Sequence, residues 1–515
     1  MKQSYTFNYI KIYFWQILSI ILNLTSLFIV IPALSSNPKI YGIYAICVSL
    51  IIFLSYADLG FMSAGYKYAS ECYAVKKTEE EIKIIGFVSF ILTIFVSLFA
   101  LLFLYFSIFP EGLIKDIGAG KEREIASKLL LILVLFSPNI ILQRSIQLIY
   151  GVRLEDYKYQ KILIVIGCLK IISVFFFFNS NNYNVTGYFL FCQSVTFLGL
   201  VAALLMAAKK YRLSLKLYFT SIRFSKNIYE KIKTLAFSSL VLTISWILYY
   251  ELDSYAIAKL LGPVAVAYFA VGLTCLSFFR TILGTIYNPF TARFNYFIAL
   301  NDNRGLKDFY YSIICLLMPV VIYPIVSLVI LAKPFVYTWV GDTFNTSVSI
   351  TKWLILSNII GFISYPMGIL LMARKKIKAL YYVAMILPFI YWGGILFLYK
   401  EWGVTTFAYF KFLAFMITGA FHLKFTLDFL AISLKQFLIK LIIPILPSLL
   451  LLIGLLISFS NHLPLSKNKL NLIMVISSGA FCSFLAFIAY YLTSKPFRGS
   501  INLLTNRLIN LRKAV

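Results

Sequence analysis

From Ile84 to Phe106 the sequence reads IIGFVSFILTIFVSLFALLFLYF, a run of 23 residues without a charged side chain. A bilayer core about 30 Å thick needs about 20 apolar residues to be crossed by a helix. Similar runs, each followed by a short polar break, recur about fourteen times along the 515 residues. Because only helices and closed barrels satisfy the backbone inside a bilayer, the pattern predicts an all-α polytopic membrane protein.

The composition supports this prediction, with 61% hydrophobic, 17% aromatic and 13% charged residues. We place the membrane-spanning runs at 14–31, 41–63, 84–106, 129–150, 161–178, 187–208, 234–260, 264–290, 309–331, 350–372, 379–399, 405–424, 436–459 and 470–492. The first run is long for a signal peptide and carries a polar stripe. We therefore interpret it as an uncleaved span.

The charge balance is basic, with 47 Lys and Arg against 19 Asp and Glu and a formal net charge of +28. Cytoplasmic loops of membrane proteins concentrate Lys and Arg. With the N-terminus in the cytoplasm, the cytoplasmic segments hold 32 basic residues and the opposite side holds 11. The bias predicts that both termini are cytoplasmic. It also argues against a nucleic-acid partner, since the sequence has no soluble basic domain.

The halves of the chain resemble each other. A shift of 225 residues places Pro38 on Pro263 and Tyr44 on Phe269. Parallel repeats are typical of transporters whose substrate binds between the halves. We predict an N-terminal six-helix lobe (1–208), a basic cytoplasmic linker lying on anionic lipid (209–233), a C-terminal six-helix lobe (234–425), an extra helix pair (436–492) and a basic cytoplasmic tail (493–515).

Three cations inside the predicted spans are candidates for substrate binding, because charges in a bilayer are costly and usually functional. They are Arg144, Lys170 and Arg280. Polar stripes on the same or neighbouring spans add Gln16, Asn23 and Gln143. Each of these could instead make an ordinary interhelical hydrogen bond. Together they predict a positively charged cavity suited to an anion, and guanidinium groups suit phosphate in particular.

Two acids, Glu251 and Asp253, lie in the seventh span. They either bind a coupling cation, Na⁺ or H⁺, or pair with Lys259 or with a basic residue of the other half of the chain. Lys411 lies near the outer end of the twelfth span, where snorkelling to water is the simpler interpretation.

The sequence offers little support for a cofactor or an enzyme. Its seven cysteines form no CxxC pair, and its two histidines are far apart in sequence. It contains no nucleotide-binding motif. We expect no metal site, no ATPase activity and no cofactor other than a coupling ion.

Two stretches resemble the Wzx-type O-antigen and polysaccharide flippases. PKIYGIYA (38–45), with ADLG (57–60) and KYASE (67–71), is similar to their first hairpin. Asp253, LLGPVAVAY (260–268) and NPF (288–290) are similar to their seventh and eighth spans. These flippases form the polysaccharide transporter family of the multidrug/oligosaccharidyl-lipid/polysaccharide superfamily.

The resemblance implies about 14 transmembrane helices, arranged as two six-helix lobes in a V plus two C-terminal helices. It implies a flippase of the bacterial inner membrane that moves undecaprenyl-pyrophosphate-linked oligosaccharide to the periplasmic leaflet. It also implies a role in O-antigen, lipopolysaccharide or other polysaccharide biosynthesis, with a polysaccharide polymerase and chain-length machinery as partners. Arg280 falls in the span where the lipid II flippase of this superfamily has a cavity arginine. The first two spans here contain no arginine, unlike that relative, so headgroup contacts do not transfer.

Two other functions are alternatives for a polytopic protein of this kind. A polymerase or ligase acting on the same lipid-linked sugars would need a long periplasmic loop, and the outer loops here are short. A drug or cation exporter of the same superfamily would be expected to carry acidic cavity residues. The cations Arg144, Lys170 and Arg280 argue against it.

Overall fold

The computed structural model describes residues 2–118, 120–179, 182–373 and 378–502. Its α-helices are α1 (Lys2–Leu34), α2 (Pro38–Leu54), α3 (Phe61–Ala74), α4 (Thr78–Ile108), α5 (Lys121–Leu135), α6 (Pro138–Val152), α7 (Asp156–Phe177), α8 (Val185–Tyr211), α9 (Leu215–Thr220), α10 (Lys226–Trp246), α11 (Asp253–Leu261), α12 (Pro263–Ala299), α13 (Asn303–Ile330), α14 (Ala332–Trp339), α15 (Asn345–Ala373), α16 (Lys378–Trp402), α17 (Thr405–Phe429), α18 (Leu434–Phe437), α19 (Ile443–Ser460) and α20 (Lys469–Thr493).

Short irregular elements join or interrupt these helices. Two-residue strands β1 (Phe178–Asn179) and β2 (Asn182–Tyr183) pair in antiparallel fashion between α7 and α8. Single 3₁₀ turns cover Pro110–Gly112 and Asp342–Phe344. Two π-helical segments, Ile247–Glu251 and Leu438–Ile442, interrupt otherwise continuous spans.

The predicted fold class, an all-α polytopic membrane protein, is confirmed. Each of the fourteen predicted runs coincides with one helix or with two helices separated by a break. Nine spans in the described part of the chain are long and apolar enough to cross a membrane, and α5 with α6, bent by 42°, makes a tenth. The runs at 41–63 and 234–260 fall short of this criterion because each is broken into two helices. The runs at 350–372 and 379–399 lie in α15 and α16, which contain side chains outside the described residues and are not counted.

The chain folds into two compact units, Met1–Ala267 and Tyr268–Val515. In the first unit α1 packs on α7, α3 on α4, and α10 on α3. In the second, α15 packs on α17, α17 on α16, and α13 on both α19 and α20. The domain limits proposed from the sequence, at 208, 233, 425, 436 and 492, stay predictions.

Part of the basic linker is buried, rather than lying entirely on lipid as the sequence suggested. The side chain of Tyr218 in α9 is only 4% exposed. Its hydroxyl lies 3.2 Å from Ser89 Oγ of α4 and donates to Ser145 Oγ of α6 at 2.8 Å. Gly86 allows the linker to come this close, because a Cβ there would lie 2.5 Å from Ser221 Cβ. The linker is therefore fixed to the first unit.

The second unit holds the C-terminal helix pair through hydroxyl groups. Tyr323 OH of α13 lies 2.5 Å from Ser448 Oγ of α19. One turn further along α13, Ser327 Oγ lies 3.0 Å from Ser483 Oγ of α20. Because a hydroxyl group inside a membrane protein needs a hydrogen-bond partner, these two contacts fix how α19 and α20 pack on α13.

A buried ion pair joins α4 to the end of α6. Arg153 NH1 lies 2.6 Å from Glu81 Oε1, and the two side chains are 5% and 1% exposed. The guanidinium also packs over the rings of Tyr73 and Tyr211, at 5.0 and 4.6 Å from their centroids. The sequence does not predict this pair, because its two residues are 72 positions apart and belong to no motif.

Glu81→Gln is expected to lower the free energy of unfolding by about 3–5 kcal/mol, because it leaves the Arg153 charge buried without its counter-ion. Thermal unfolding of the purified protein in detergent measures this. Adding Arg153→Met to Glu81→Gln should restore most of the loss, since it removes the uncompensated charge. A single variant as stable as the parent would show that water reaches this pair.

Candidate functional site

The second span is broken where Arg144 meets it. Helix α2 ends at Leu54, and α3 begins only at Phe61. Arg144 of α6 donates from Nε and NH2 to the carbonyl oxygen of Ser55, at 3.2 and 2.5 Å. Its NH1 donates to Gln147 Oε1 at 3.1 Å. The carbonyl end of a helix carries partial negative charge, so this guanidinium stabilises the end of α2.

Asp58 stabilises the other side of the same break. It is 8% exposed, and its Oδ2 accepts a hydrogen bond from Met62 N in the first turn of α3 at 3.1 Å. It also interacts electrostatically with Arg144. The turn passes through positive φ at Leu59 (46°) and Gly60 (84°). A Cβ at Gly60 would lie 2.7 Å from the Ala236 oxygen, so the turn lies directly against α10.

The seventh span is broken as well, at the predicted ion-coupling acids. The π-helical segment Ile247–Glu251 separates α10 from α11. Glu251 Oε1 accepts a hydrogen bond from Trp246 Nε1 at 3.0 Å. Asp253, 1% exposed, lies in the first turn of α11. The alternative partner Lys259 instead donates to the carbonyl of Gly112 at 2.7 Å.

The two broken spans run side by side within the first unit. The two spans come into close contact at two points. At the first, Gly60 lies against α10, and at the second, Gly42 lies against Pro263, where a Cβ on Gly42 would lie 2.5 Å from the Pro263 carbonyl carbon. Both breaks, at 55–60 and 247–252, lie between these two approaches. Broken helices expose backbone polar groups inside the membrane and are common where transporters bind substrates and ions.

Lys170 lies in α7, away from the two breaks. It is partly buried, and within the described part of the chain its ammonium has no hydrogen-bond or ion-pair partner. Lys170 and Arg144 share no partner in these residues, so the structure leaves them in separate environments.

Gln16 and Asn23 lie on α1, which runs parallel to α7. Lys161 Nζ is 4.8 Å from the Trp15 ring centroid, and a Cβ at Gly167 would lie 2.7 Å from Leu22. This register places Asn23 near the height of Lys170. Gln16 is partly buried and Asn23 exposed, and neither side chain is hydrogen-bonded within the described residues.

The remaining predicted residues lie elsewhere. Gln143, next to Arg144 on α6, is partly buried and has no side-chain hydrogen bond among the described residues. Arg280 is partly buried in the portion of α12 that belongs to the second unit. The side chains of Asn288 and Pro289, further along α12, lie outside the described residues. No group of three or more His, Cys, Asp or Glu able to hold a metal occurs in the described part.

Lys411 is the residue for which the sequence interpretation was wrong. It was expected to snorkel, but it is only 1% exposed in α17. Its ammonium lies 5.3 Å from the Tyr391 ring centroid and 6.0 Å from that of Phe269. Helices α15 and α16 cover this face of α17, so the side chain cannot reach water along it. A buried lysine between aromatic rings is a further candidate for function.

Comparison with solved structures identifies proteins with the same architecture. The lipid II flippase MurJ in an inward closed conformation superposes with a TM-score of 0.65 at 14% identity, covering 94% of this chain and 99% of that one. An inward-facing multidrug resistance MATE family transporter of the MOP superfamily gives 0.60 at 12% identity, covering 80% and 95%. The chain has the fold of the MOP-superfamily transporters.

A third similar structure is a MOP-superfamily transporter from Pyrococcus furiosus, which is described as having a binding pocket of reversed polarity. It gives a TM-score of 0.52 at 12% identity, covering 82% of this chain and 95% of that one. No protein-family model matches the sequence, and no curated protein matches it significantly. Beyond the short stretches at 38–71 and 253–290, the likeness to these transporters is one of fold.

Proposed function

We propose that this MOP-fold protein is a flippase for undecaprenyl-pyrophosphate-linked oligosaccharides, such as O-antigen or other surface-polysaccharide repeat units. It would move them from the cytoplasmic to the periplasmic leaflet of the bacterial inner membrane, with both termini cytoplasmic. The observation that carries the proposal is Lys170, an ammonium without a counter-ion among the described residues of a membrane-spanning helix. Such a charge is costly to insert, and an anionic ligand offsets the cost.

Arg144 gives the proposal a second cation with suitable chemistry. A guanidinium has five N–H donors and binds phosphate oxygens bidentately. Three of its nitrogen atoms already bind Ser55 and Gln147 at the helix break. A pyrophosphate would compete with a neutral carbonyl for this group. Arg280, Gln16, Asn23 and Gln143 are proposed as further contacts for the same substrate.

Energy coupling is proposed at the break of the seventh span. Asp253 and Glu251 would bind Na⁺ or H⁺ there, together with carbonyl groups freed by the π-helical segment. A drug or cation exporter is the second candidate function, because MATE transporters share the fold and these same acids would attract a cation. The counter-ion-free Lys170 favours the anionic substrate. A polymerase and chain-length proteins are proposed as later partners.

The test is translocation of a fluorescent undecaprenyl-pyrophosphoryl oligosaccharide in proteoliposomes, followed by quenching from outside. We expect translocation that depends on the protein and that a Na⁺ or H⁺ gradient accelerates. In Asp253→Asn the acceleration should be lost while gradient-free exchange persists. Transport of an organic cation without any movement of the lipid-linked glycan would instead support the exporter.

A further inference from the structure

A cavity of about 570 Å³ opens within the first unit at the end of α4 that is opposite to the basic linker. The 3₁₀ turn Pro110–Gly112 and the following loop form one wall, and α5 and the end of α11 form the others. Its two isoleucines are buried, whereas its charged residues are exposed and form the rim. The lining residues are Glu111, Ile114, Lys115, Asp116, Ile117, Gly118, Arg123 and Lys259.

Three cations at this end of the unit are paired with carboxylates. Arg123 Nε lies 2.5 Å from Glu111 Oε1 on the cavity rim. The backbone N–H of Glu111 and the Arg123 guanidinium hold the pKa of this carboxyl below its usual range, so it stays ionised and the pair is neutral. Lys128 with Glu124 at 2.5 Å and Lys39 with Glu122 at 3.7 Å follow the same pattern.

Lys115 and Lys259 differ from these paired cations, because each ammonium donates to a backbone carbonyl oxygen and not to a carboxylate. Lys115 Nζ donates to Leu260 O at 3.2 Å, and Lys259 Nζ donates to Gly112 O at 2.7 Å. The backbone N–H of Lys115 also donates to Ala258 O at 3.0 Å. These reciprocal bonds fix both ammonium groups at the rim. Each ammonium has three donors and uses one of them on a carbonyl.

The positions of these charges conflict with the usual distribution of basic residues. The loop containing Lys115 is predicted to lie on the outer side, where membrane proteins have few Lys and Arg. Two like charges at one cavity repel each other, and only Asp116, which makes no ion pair among the described residues, opposes them. An anion between the ammonium groups relieves this repulsion, while Asp116 can accept hydrogen bonds from hydroxyl groups.

We propose that this cavity binds an oxyanion carried by a glycan, with Lys115 and Lys259 as its ligands. The inference rests on the proposed function for the source of the glycan, which is the translocated substrate. The oxyanion is either its pyrophosphate or the carboxylate of an acidic sugar. The site is separate from Arg144 and Lys170, which lie within the spans.

Amine-selective acylation of the full-length protein, quantified by mass spectrometry, tests the site. Labelling is compared with no ligand and with inorganic pyrophosphate, glucuronate or glucose. At a ligand concentration about ten times Kd, acylation of Lys115 and Lys259 should fall about tenfold. Lys121, exposed on α5 but outside the cavity lining, is the control within the same molecule.

Protection by pyrophosphate alone would identify the phosphate as the ligand, and protection by glucuronate alone would identify an acidic sugar. Equal protection by glucose, or protection of Lys121 to the same extent, would overturn the proposal. Lys259→Gln should abolish protection of Lys115, whereas Lys121→Gln should not. Because this readout needs no translocation, failure of the cavity to bind is distinguishable from failure of the flippase activity.

Discussion

Lys170→Met is expected to abolish most transport while the protein remains inserted and folded. Burying a lysine near mid-bilayer costs about 2.5–3.5 kcal/mol, so its removal should leave the thermal stability unchanged or raise it. Losing a charge-assisted hydrogen bond to the substrate costs about 1.5–3 kcal/mol, which lowers the transport rate about 10- to 150-fold. Translocation in proteoliposomes and thermal unfolding in detergent measure the two effects.

Lys161→Met is the matched control on the same helix. Lys161 lies near the start of α7, nine residues before Lys170. Its ammonium packs over the Trp15 ring, and it is not a proposed ligand. The Lys161→Met variant should therefore transport normally.

Arg144→Met should lose both transport and stability, because Arg144 also binds the end of α2. Full transport by Lys170→Met would remove the main support for an anionic substrate.

Gly42→Ala is expected to cost at least about 3 kcal/mol of stability, because a side chain there collides with backbone. The new Cβ would lie 2.5 Å from the Pro263 carbonyl carbon and closer still to its oxygen. A main-chain carbonyl cannot rotate away as a flexible side chain can. Helix α2 would have to separate from the start of α12, and protein yield and unfolding temperature should both fall.

Gly454→Ala provides the control for Gly42→Ala. Gly454 is also helical, in α19, but nothing lies within 4 Å of the Cβ that alanine would add. Alanine favours helix over glycine by about 0.5–1 kcal/mol, so this variant should be as stable as the parent or more so. Equal behaviour of the two variants would show that α2 and Pro263 are not in contact in the membrane.

The fourteen spans could be predicted from the sequence because the bilayer imposes one requirement on every one of them, namely length and apolarity. The breaks within spans could not, because a helix that ends inside the membrane does so through tertiary contacts. Leu54, the last residue of α2, is followed by Ser55, a residue type that is common inside helices. The carbonyl oxygen of Ser55 accepts its hydrogen bonds from Arg144, 89 residues away. The ADLG motif marked the position of this break without revealing that it was one.

The candidate site was predictable as a set of residue types but not as an arrangement. Lys170 was identified because it is far from either end of its span. Lys411 was misjudged because distance to a span end does not tell whether the intervening face is covered, and here α15 and α16 cover it. The ion pair between Glu81 and Arg153 could not be predicted either, because its two residues are far apart in the sequence and belong to no motif.

The buried position of Tyr218 has a consequence for how the protein is made. Ser89 and Ser145, which hold its hydroxyl, both precede it in the chain and are already synthesised when α9 emerges. The chain that packs against Gly60 and Gly42 follows within the next 45 residues, up to Pro263. Because domains generally fold in the order of synthesis, the first unit can close around its own linker before the ribosome reaches most of the second. If α4 or α6 were misinserted at that stage, the Tyr218 hydroxyl would lack the serine partners that it has in the folded unit.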